Sequence, residues 1–383
     1  MEIQELRKTI EGRAKSRELD IEPPTSTVSW LYPGQFAYCL NEEFIWNKFG
    51  TFIDCPKEIK FHKIQPCIRW NDFEDFFMKP KQPSEDLVHL GHFDMTTITG
   101  GYIISKEKSQ EMHTKSCRDL VYFLTEEVGL DKSRLKISYF PGGLLSEIGK
   151  SKEGKPKFDF EYKFQEDIES CEIFYSLGLK KDQIIPDKTR NCFLIPDWAC
   201  GEVAPWGTRN EVYYTTAKGL VDIATLENLT LRPIYKEGNI TSIEPWEKAF
   251  VINGTGLERL SMISRGLSRI QEVDNIRDLY KYTLSKNYSN PELICETIRL
   301  THRIISDTNG EMSDSRGGKG RNRKDKLNRL LNILYQIDEK ELGEMLVINS
   351  EINHWYSNFK SSKENVLNLI KEYKSKRKYI SEQ

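Results

Sequence analysis

Residues 251–270 read VINGTGLERLSMISRGLSRI, and this stretch decides the fold that we predict for the chain. The apolar run from Ala249 to Ile252 predicts a strand, and the two glycines at 254 and 256 predict a tight turn after it. Beyond the glycines, apolar residues recur at near-helical spacing, which predicts an amphipathic helix through Leu257, Leu260, Ile263, Leu267 and Ile270. Glycines let a ligand approach the backbone, and a helix N-terminus favours anions.

Glu258 and Arg259 lie in the first turn of this predicted helix. The helix dipole favours an acid at that position and disfavours a base. Arg259 therefore belongs either to an ordinary strand–turn–helix, in which it is solvated, or to one wall of an anion site. The spacing alone leaves both interpretations open.

Composition sets the class of protein. The 383 residues are enough for two or three structural units, and 56 Lys and Arg nearly balance 58 Asp and Glu, so the global charge predicts no polyanionic partner. The eight cysteines show no C-x-x-C pair, which is typical of reduced thiols. The charged first twenty residues lack the apolar core of a signal peptide, and no apolar run is long enough for a membrane span. We therefore expect a cytoplasmic protein with no membrane contact.

Periodicity divides the chain near residue 267. Before it, strand patterns alternate with helical ones, which predicts an α+β domain over residues 1–267 with an antiparallel sheet and flanking helices. One predicted hairpin joins residues 64–70 to 87–104 through a long polar connection. From 268 to 383 the pattern is helical throughout, which predicts an all-α C-terminal domain.

Two arginines in this arrangement fit a nucleotide triphosphate. Arg69 follows a predicted strand, and Arg259 begins a predicted helix, so they provide positive charge at two separate points. A guanidinium binds phosphate oxygens with two parallel hydrogen bonds and stabilises charge that develops on the α-phosphate when a carboxylate attacks it. We therefore predict both as catalytic residues for ATP. Mg²⁺ would bridge the phosphates and needs one or two carboxylates, for which Glu211 and Glu258 are candidates.

The order of the motifs resembles that of class II aminoacyl-tRNA synthetases, and specifically the N-terminal part of alanyl-tRNA synthetase. INGTGLERL resembles motif 3 of that family, and PCIRWND resembles its motif 2 strand. The colinear match covers roughly residues 3–335, with further similar segments in HLGHFDMTTITGG (89–101), APWGTRNEVYY (204–214), LENLTL (226–231) and the helical segment 296–334.

This resemblance implies roles for individual residues. It implies that Arg69 binds the α-phosphate of ATP and Arg259 the γ-phosphate. The remaining ATP-site residues that it implies are Phe93, Asp94, Gly256 and Glu258, and the implied substrate-pocket residues are Asn228, Ile252, Gly254, Met95 and Trp206.

One departure concerns the substrate amine. Ile252 stands where the family's motif 3 has an aspartate that holds the substrate α-ammonium. Removing this carboxylate is costly if a buried ammonium still binds there, so we expect the amine to be held differently or the substrate not to be alanine. The zinc-binding editing domain and the C-terminal oligomerising domain of the family have no counterpart in the sequence, which we take as an expectation that the chain is truncated relative to it.

A basic segment follows the helical pattern at residues 291–307. It predicts either a solvated helix face or a contact with a phosphate backbone, such as the tRNA acceptor end, through Arg316, Lys319, Arg321, Arg323 and Lys324.

These features lead to one main functional prediction and two alternatives. We expect an AMP-forming ligase that uses ATP and Mg²⁺ to adenylate an amino acid or related carboxylic acid and passes the acyl group to an acceptor amine, independently of tRNA. The first alternative is a minimal alanyl-tRNA synthetase that charges tRNA without editing. The second is a non-catalytic paralogue that binds tRNA.

Overall fold

The structure is a computed structural model, and it describes residues 1–32, 34–40, 42–78, 88–148, 158–196, 204–237, 239–309 and 321–381. Its centre is a large mixed, mainly antiparallel sheet, and helices pack around the sheet and continue alone after residue 273. This arrangement confirms the predicted α+β fold, with an antiparallel sheet flanked by helices and followed by a helical C-terminal region.

The strands form one ten-stranded sheet and a small two-stranded one. The strand order along the large sheet is β1-β2-β3-β12-β11-β10-β5-β8, while β4 pairs with β12 and β2, and β9 pairs with β10. The strands are β1 (Asp20–Glu22), β2 (Ile59–Ile68), β3 (His92–Thr96), β4 (Gly101–Ser105), β5 (Leu135–Tyr139), β6 (Gly143–Leu144), β7 (Lys163–Phe164), β8 (Ile184–Pro186), β9 (Phe193–Leu194), β10 (Trp206–Thr216), β11 (Gly219–Lys236) and β12 (Asn239–Gly256).

The helices before residue 265 lie around the sheets, and those after it pack mainly on one another, with α9 also in contact with β3. They are α1 (Ile3–Ser16), α2 (Glu43–Phe49), α3 (Trp70–Phe73), α4 (Ser109–Tyr122), α5 (Leu145–Ile148), α6 (Ile168–Ser176), α7 (Leu257–Ser264), α8 (Asp274–Ser285), α9 (Pro291–Thr308), α10 (Arg321–Leu334), α11 (Glu339–Ile352) and α12 (Phe359–Ser381). Within the described residues, no helix is both long and apolar enough to cross a bilayer.

The predicted hairpin is confirmed, since β2 and β3 pair antiparallel with Cys67 opposite Phe93. The motif at 251–270 differs from its prediction in two respects. Gly254 and Gly256 do not form a tight turn but lie in the extended strand β12, which runs directly into α7. Helix α7 also ends at Ser264, well before residue 270, because Gly266 adopts a left-handed conformation with φ of 62° that stops the helix.

Candidate active site

Two adjoining cavities lie on one face of the sheet, and both are lined by strands β3, β10, β11 and β12. The first cavity has a volume of about 240 Å³ and contains Arg259, and the second has a volume of about 310 Å³ and contains Ile252. The two are continuous, because both are lined by Arg69, Met95, Arg209, Thr225 and Gly254.

The floor of both cavities consists of side chains on alternate positions of three paired strands. Alternate residues of a strand point to the same face, so the register of the strands places these side chains in rows. From the first cavity to the second, the rows across β10, β11 and β12 are Glu211–Thr225–Gly254, Arg209–Glu227–Ile252 and Gly207–Leu229–Phe250.

Gly254 is needed where the two cavities meet. A Cβ at this position would lie 3.0 Å from Met95 Cε and 3.1 Å from Thr225 Oγ1. Because Gly254 has no side chain, the two cavities stay connected where Met95 and Thr225 pack close to its backbone. Gly256, two residues further, lines the first cavity and would have open space around an added Cβ.

Arg69 stands at the junction of the cavities, immediately after β2. Its guanidinium carbon lies 4.9 Å from the centre of the Phe93 ring, and its Nε donates a hydrogen bond to the carbonyl oxygen of Tyr38 at 3.3 Å. A cation over an aromatic face is attracted to it and is held in place. Arg69 thus presents its remaining N–H groups to a site that both cavities share.

Arg259 projects into the first cavity from the first turn of α7. Its guanidinium donates to the carboxylate of Asp222 on β11, and its Nε donates to the carbonyl oxygen of Val88 at 3.1 Å. Asp222 is 46% exposed, so this ion pair lies at the rim of the cavity. An anion that entered the cavity would compete with Asp222 for Arg259.

Arg209 lies between two carboxylates on the cavity floor. It is 2.9 Å from Glu211 Oε1 and 3.5 Å from Glu227 Oε1. Burial raises the pKa of Glu211 to about 7, although the charge of Arg209 opposes this effect. Burial likewise raises the pKa of Glu227, with Arg209 opposing it. Burial thus disfavours the ionised forms of Glu211 and Glu227, and the single charge of Arg209 stabilises both of them.

The prediction that Asp94 binds ATP is wrong. Phe93 and Met95 line the first cavity, and Asp94, between them on β3, points to the opposite face of the sheet. There it is fully buried, and its two oxygens accept hydrogen bonds from Arg7 on α1, at 2.7 Å, and from the hydroxyl of Tyr356. Asp94 holds the helical elements against the sheet.

Glu258 reaches the first cavity, but its carboxylate is committed to the protein. Oε2 accepts from the backbone N of Asp94 at 3.0 Å, and Oε1 accepts from Asn275 at 2.9 Å. Burial and the neighbouring Asp94 charge raise the pKa of Glu258 to about 7. Each oxygen of Glu258 thus already accepts one hydrogen bond from the protein, which makes it a poorer candidate ligand for Mg²⁺ than Glu211. Glu211, whose side chain lines the first cavity, fits as a single carboxylate ligand.

Two predicted pocket residues lie elsewhere. Asn228 is on β11 between Glu227 and Leu229, which both line the second cavity, so the alternation of the strand turns Asn228 to the other face. Trp206 is fully buried in an aromatic cluster, with its ring 5.2 Å from that of Phe158, and lines neither cavity. Both predictions are wrong for this reason, whereas Ile252, Gly254 and Met95 do line the second cavity.

One residue of the predicted basic segment, Arg323, is used inside the protein. Arg323 is buried and donates hydrogen bonds to the carbonyl oxygens of Gln35 and Ser29, each at 2.6 Å, and also to that of Tyr32. Arg323 therefore cannot also contact a polyanion, and that prediction is wrong. Lys324 is exposed. Arg316, Lys319 and the side chain of Arg321 lie outside the described residues.

Four residues near the cavities have roles that the sequence did not predict. They are Asp222, Arg209, Glu227 and Glu42, which all line one or both cavities. The alternation of Thr225, Glu227 and Leu229 could have shown that Glu227 shares a face with Thr225. The other three depend on strand pairing and chain packing that no local pattern contains.

Comparison with known proteins finds relatives for part of the chain. No protein-family model matches it. The mitochondrial alanine–tRNA ligase of Homo sapiens is 27% identical over 216 residues, which cover 55% of this chain and 18% of that protein. That of Caenorhabditis elegans is 29% identical over 279 residues, covering 66% of this chain and 30% of that protein. The matched region thus spans less than a third of these relatives.

Comparison with solved structures gives matches to two tRNA synthetases, both with low TM-scores. The pyrrolysyl-tRNA synthetase of Desulfitobacterium hafniense matches with 13% identity and a TM-score of 0.33, over 71% of this chain and 72% of that chain. A putative threonyl-tRNA synthetase of Aeropyrum pernix matches with 13% identity and a TM-score of 0.38, over 75% of this chain and 69% of that chain. The sequence relatives show what the chain is similar to: it resembles alanine–tRNA ligases over about half to two thirds of its own length.

Proposed function

We propose that the protein is an AMP-forming ligase that activates an amino acid with ATP and transfers its acyl group to an amine. A carboxylate oxygen of the amino acid attacks the α-phosphorus of ATP, the bond to the leaving pyrophosphate breaks, and an acyl-adenylate forms. The nitrogen of the acceptor then attacks the acyl carbon, AMP leaves with the bonding electrons, and the nitrogen loses a proton to water. Residues 1–267 carry this chemistry, and residues 268–383 form a helical domain attached to it.

One observation carries the proposal: Arg69 and Arg259, far apart in sequence, line the same cavity. Arg69 lies where this cavity meets the second one, and Arg259 lies at the rim beside Asp222. ATP would lie with its α-phosphate near Arg69 and its terminal phosphates near Arg259. The carboxylate of an amino acid in the second cavity then meets the α-phosphate at the junction. Fixed positive charge at that point stabilises the transition state without a proton donor.

Glu227 provides a carboxylate close to the position where Ile252 replaces the aspartate of the family's motif 3. It lies directly opposite Ile252 on the neighbouring strand, and it lines the second cavity. We propose that Glu227 holds the substrate α-ammonium, so that the missing carboxylate of β12 is replaced by one on β11. Arg209 lies near Glu227 and would keep that carboxylate ionised.

Glu211 is the residue that we propose as a ligand for Mg²⁺. Bound Mg²⁺ would neutralise phosphate charge, and one protein carboxylate is enough when the phosphates supply other oxygen ligands. Within the described residues, no group of three or more acidic, histidine or cysteine side chains could form a metal site by itself. This fits an ion that arrives with ATP.

An acceptor amine that does not belong to tRNA is favoured by the inward use of Arg323 and Lys326. Arg323 is bound to backbone carbonyls, and Lys326 lies over the rings of Phe36 and Trp70 at 5.9 and 5.7 Å. These two cations hold α10 against the rest of the protein, whereas Lys324 is exposed. The similarity to alanine–tRNA ligases favours a second candidate, in which the acceptor is the 3′-end of a tRNA. A non-catalytic tRNA-binding paralogue is the third.

Exchange of radiolabelled pyrophosphate into ATP tests the proposal. The protein is incubated with ATP, Mg²⁺ and a panel of amino acids, with and without tRNA. We expect exchange that depends on an amino acid and needs no tRNA. Transfer of labelled amino acid to tRNA would establish the second candidate. Absence of exchange with every acid, together with tRNA binding in a filter assay, would establish the third and overturn both ligase proposals.

A further inference from the structure

The second cavity combines apolar walls with two carboxylates. Aromatic and aliphatic side chains form most of its surface, among them Trp46, Phe52, Leu229 and Phe250, while Glu42 and Glu227 provide acidic groups. A cavity for alanine, whose side chain is one methyl group, needs neither this length nor a second acid. The additional carboxylate is therefore a feature of the substrate side chain and not of the common amino-acid backbone.

Glu42 lies in the wall of the second cavity, where the side chain of Lys63 acts on it through its charge. It precedes α2 in the N-cap position, but its side chain does not cap the helix. Among the described residues, no side chain donates a hydrogen bond to its carboxylate. Burial raises the pKa of Glu42 to about 8; the charge of Glu227 adds to this effect, whereas the charge of Lys63 and a backbone hydrogen bond at Glu42 oppose it. A half-buried carboxylate of this kind is stabilised in its ionised form by a ligand that supplies positive charge and hydrogen bonds.

The cations near the second cavity also interact with groups outside it. Arg209 is shared between Glu211 and Glu227, and Arg69 lies at the junction with the first cavity. Lys63 also acts on Glu42 through its charge, but it does not line the cavity, and burial lowers its pKa to about 8. Its ammonium donates to Thr25 Oγ1 at 2.9 Å. Two cations, Arg69 and Arg209, therefore line the second cavity with its two carboxylates, and Arg209 is shared with a third carboxylate, Glu211.

We propose that the second cavity binds an α-amino acid whose side chain carries a second positive charge. The α-ammonium lies at Glu227, and the side-chain cation lies at Glu42 with the ring of Trp46 beside it. Aromatic faces attract cations, and the aliphatic part of such a side chain fits the apolar walls. This inference rests on the proposed function, because it takes the second cavity as the site of the activated acid.

Paired substrates test the inference. Pyrophosphate exchange is measured with L-lysine against L-norleucine, which lacks only the side-chain amine, and with L-arginine against the neutral L-citrulline. We expect kcat/KM for one cationic member to exceed that of its neutral partner by about tenfold or more, since hydrogen bonds between charged groups are roughly twice as strong as neutral ones. Equal or better exchange with the neutral members would overturn the inference while supporting the proposed ligase.

Glu42→Gln separates this role from a structural one. The substitution keeps the shape of the side chain, and we expect the cationic-to-neutral preference to fall by about tenfold or more. Glu247→Gln, at an exposed position on β12, is the matched control and should retain the preference. An unchanged preference in Glu42→Gln would refute the assignment. If no acid supports exchange, calorimetric binding decides: lysine that binds native protein at least about tenfold more tightly than Glu42→Gln supports the cavity assignment, and lysine that binds neither or both equally overturns it.

Discussion

Asp222 accepts a hydrogen bond from the guanidinium of Arg259 at the rim of the first cavity. Asp222 lies on β11, and Arg259 lies in the first turn of α7, so the contact joins the sheet to the helix that follows the glycines. The pair holds Arg259 in the cavity without a bound anion. It also places a negative charge where we propose that the terminal phosphates of ATP bind.

Replacing Asp222 by Asn should favour ATP binding. The exposed ion pair contributes about 0.2–1 kcal/mol, so we expect the KM for ATP to fall by roughly 1.5- to 5-fold. Arg259→Ala, in contrast, should abolish pyrophosphate exchange because a phosphate contact is lost. A loss of activity in Asp222→Asn as large as that in Arg259→Ala would mean that Asp222 positions the arginine and does not compete with the anion.

Arg69→Lys should be nearly as harmful as Arg69→Ala. Lysine keeps the charge but loses the planar fork and its packing over Phe93. We expect kcat for exchange to fall by about 100-fold or more, in line with the removal of one fixed transition-state contact. Circular dichroism and urea unfolding provide the control for correct folding. Activity of Arg69→Lys within about threefold of native would contradict a role that depends on two parallel hydrogen bonds.

Moving the carboxylate from β11 to β12 by substitution tests the proposed site of the α-ammonium. Glu227→Gln should raise the KM of the activated amino acid by roughly 10- to 100-fold, because a charged contact worth about 1.5–3 kcal/mol is lost. Ile252→Asp alone should not improve exchange, since it places a second acid directly opposite Glu227. The double variant Glu227→Gln/Ile252→Asp should recover part of the loss.

The contrary outcome is equally clear. If Ile252→Asp alone improves alanine-dependent exchange, the pocket is that of an ordinary alanine enzyme and Glu227 is not needed for the amine. If Glu227→Gln leaves the KM of every amino acid unchanged, the α-ammonium lies elsewhere.

Glu258 should make the protein less stable as the pH rises from about 4.5 to about 7. Its pKa in the folded state is raised from 4.5 to about 7, so between these values the folded protein binds a proton that the unfolded chain has lost. Stability from this group is therefore present at low pH and declines as pH rises through the window. Urea unfolding of Glu258→Gln at pH 5 and pH 8 should show a smaller decline than in the native protein, and an equal or larger decline would contradict the assignment.

Arg323 and Lys324 are adjacent in sequence, but Arg323 is buried and Lys324 is exposed. Arg323→Ala should lower the free energy of unfolding by roughly 2–4 kcal/mol, because several buried carbonyl groups lose their donor. Lys324→Ala should change it by less than about 0.5 kcal/mol, since that side chain is exposed. Urea titration checks both. Equal effects of the two variants would contradict the inward role of Arg323.

The α+β class, the antiparallel pairing of β2 with β3 and the helical C-terminal region could be predicted from the sequence, but the faces of individual residues could not. Phe93 and Met95 share a face of β3 and line the first cavity, whereas Asp94, which the family resemblance also included, lies between them on the other face. For the same reason, the resemblance indicates Asn228 as a pocket residue, whereas its neighbour Glu227 is the one that lines the second cavity. A resemblance aligns positions along the chain, whereas the face of each position follows from strand register and bulges.

Residues that depend on distant contacts were beyond prediction. Glu42 belongs to the segment before α2, and only the packing of this segment brings it to the wall of the second cavity. The buried state of Arg323 depends on carbonyl groups almost three hundred residues earlier. A run of basic residues looks the same in sequence whether it faces solvent or the protein.

The contacts of Asp94 limit how the protein can be divided. One oxygen of this carboxylate is held by the first helix and the other by Tyr356, near the end of the chain. Glu258, beside the first cavity, depends in the same way on Asn275. Cutting the chain at residue 267 would remove one of the two donors that each of these acids has, and it would expose both acids to water. We therefore expect a graft of the sheet and its cavities onto another protein to need the last helices as well.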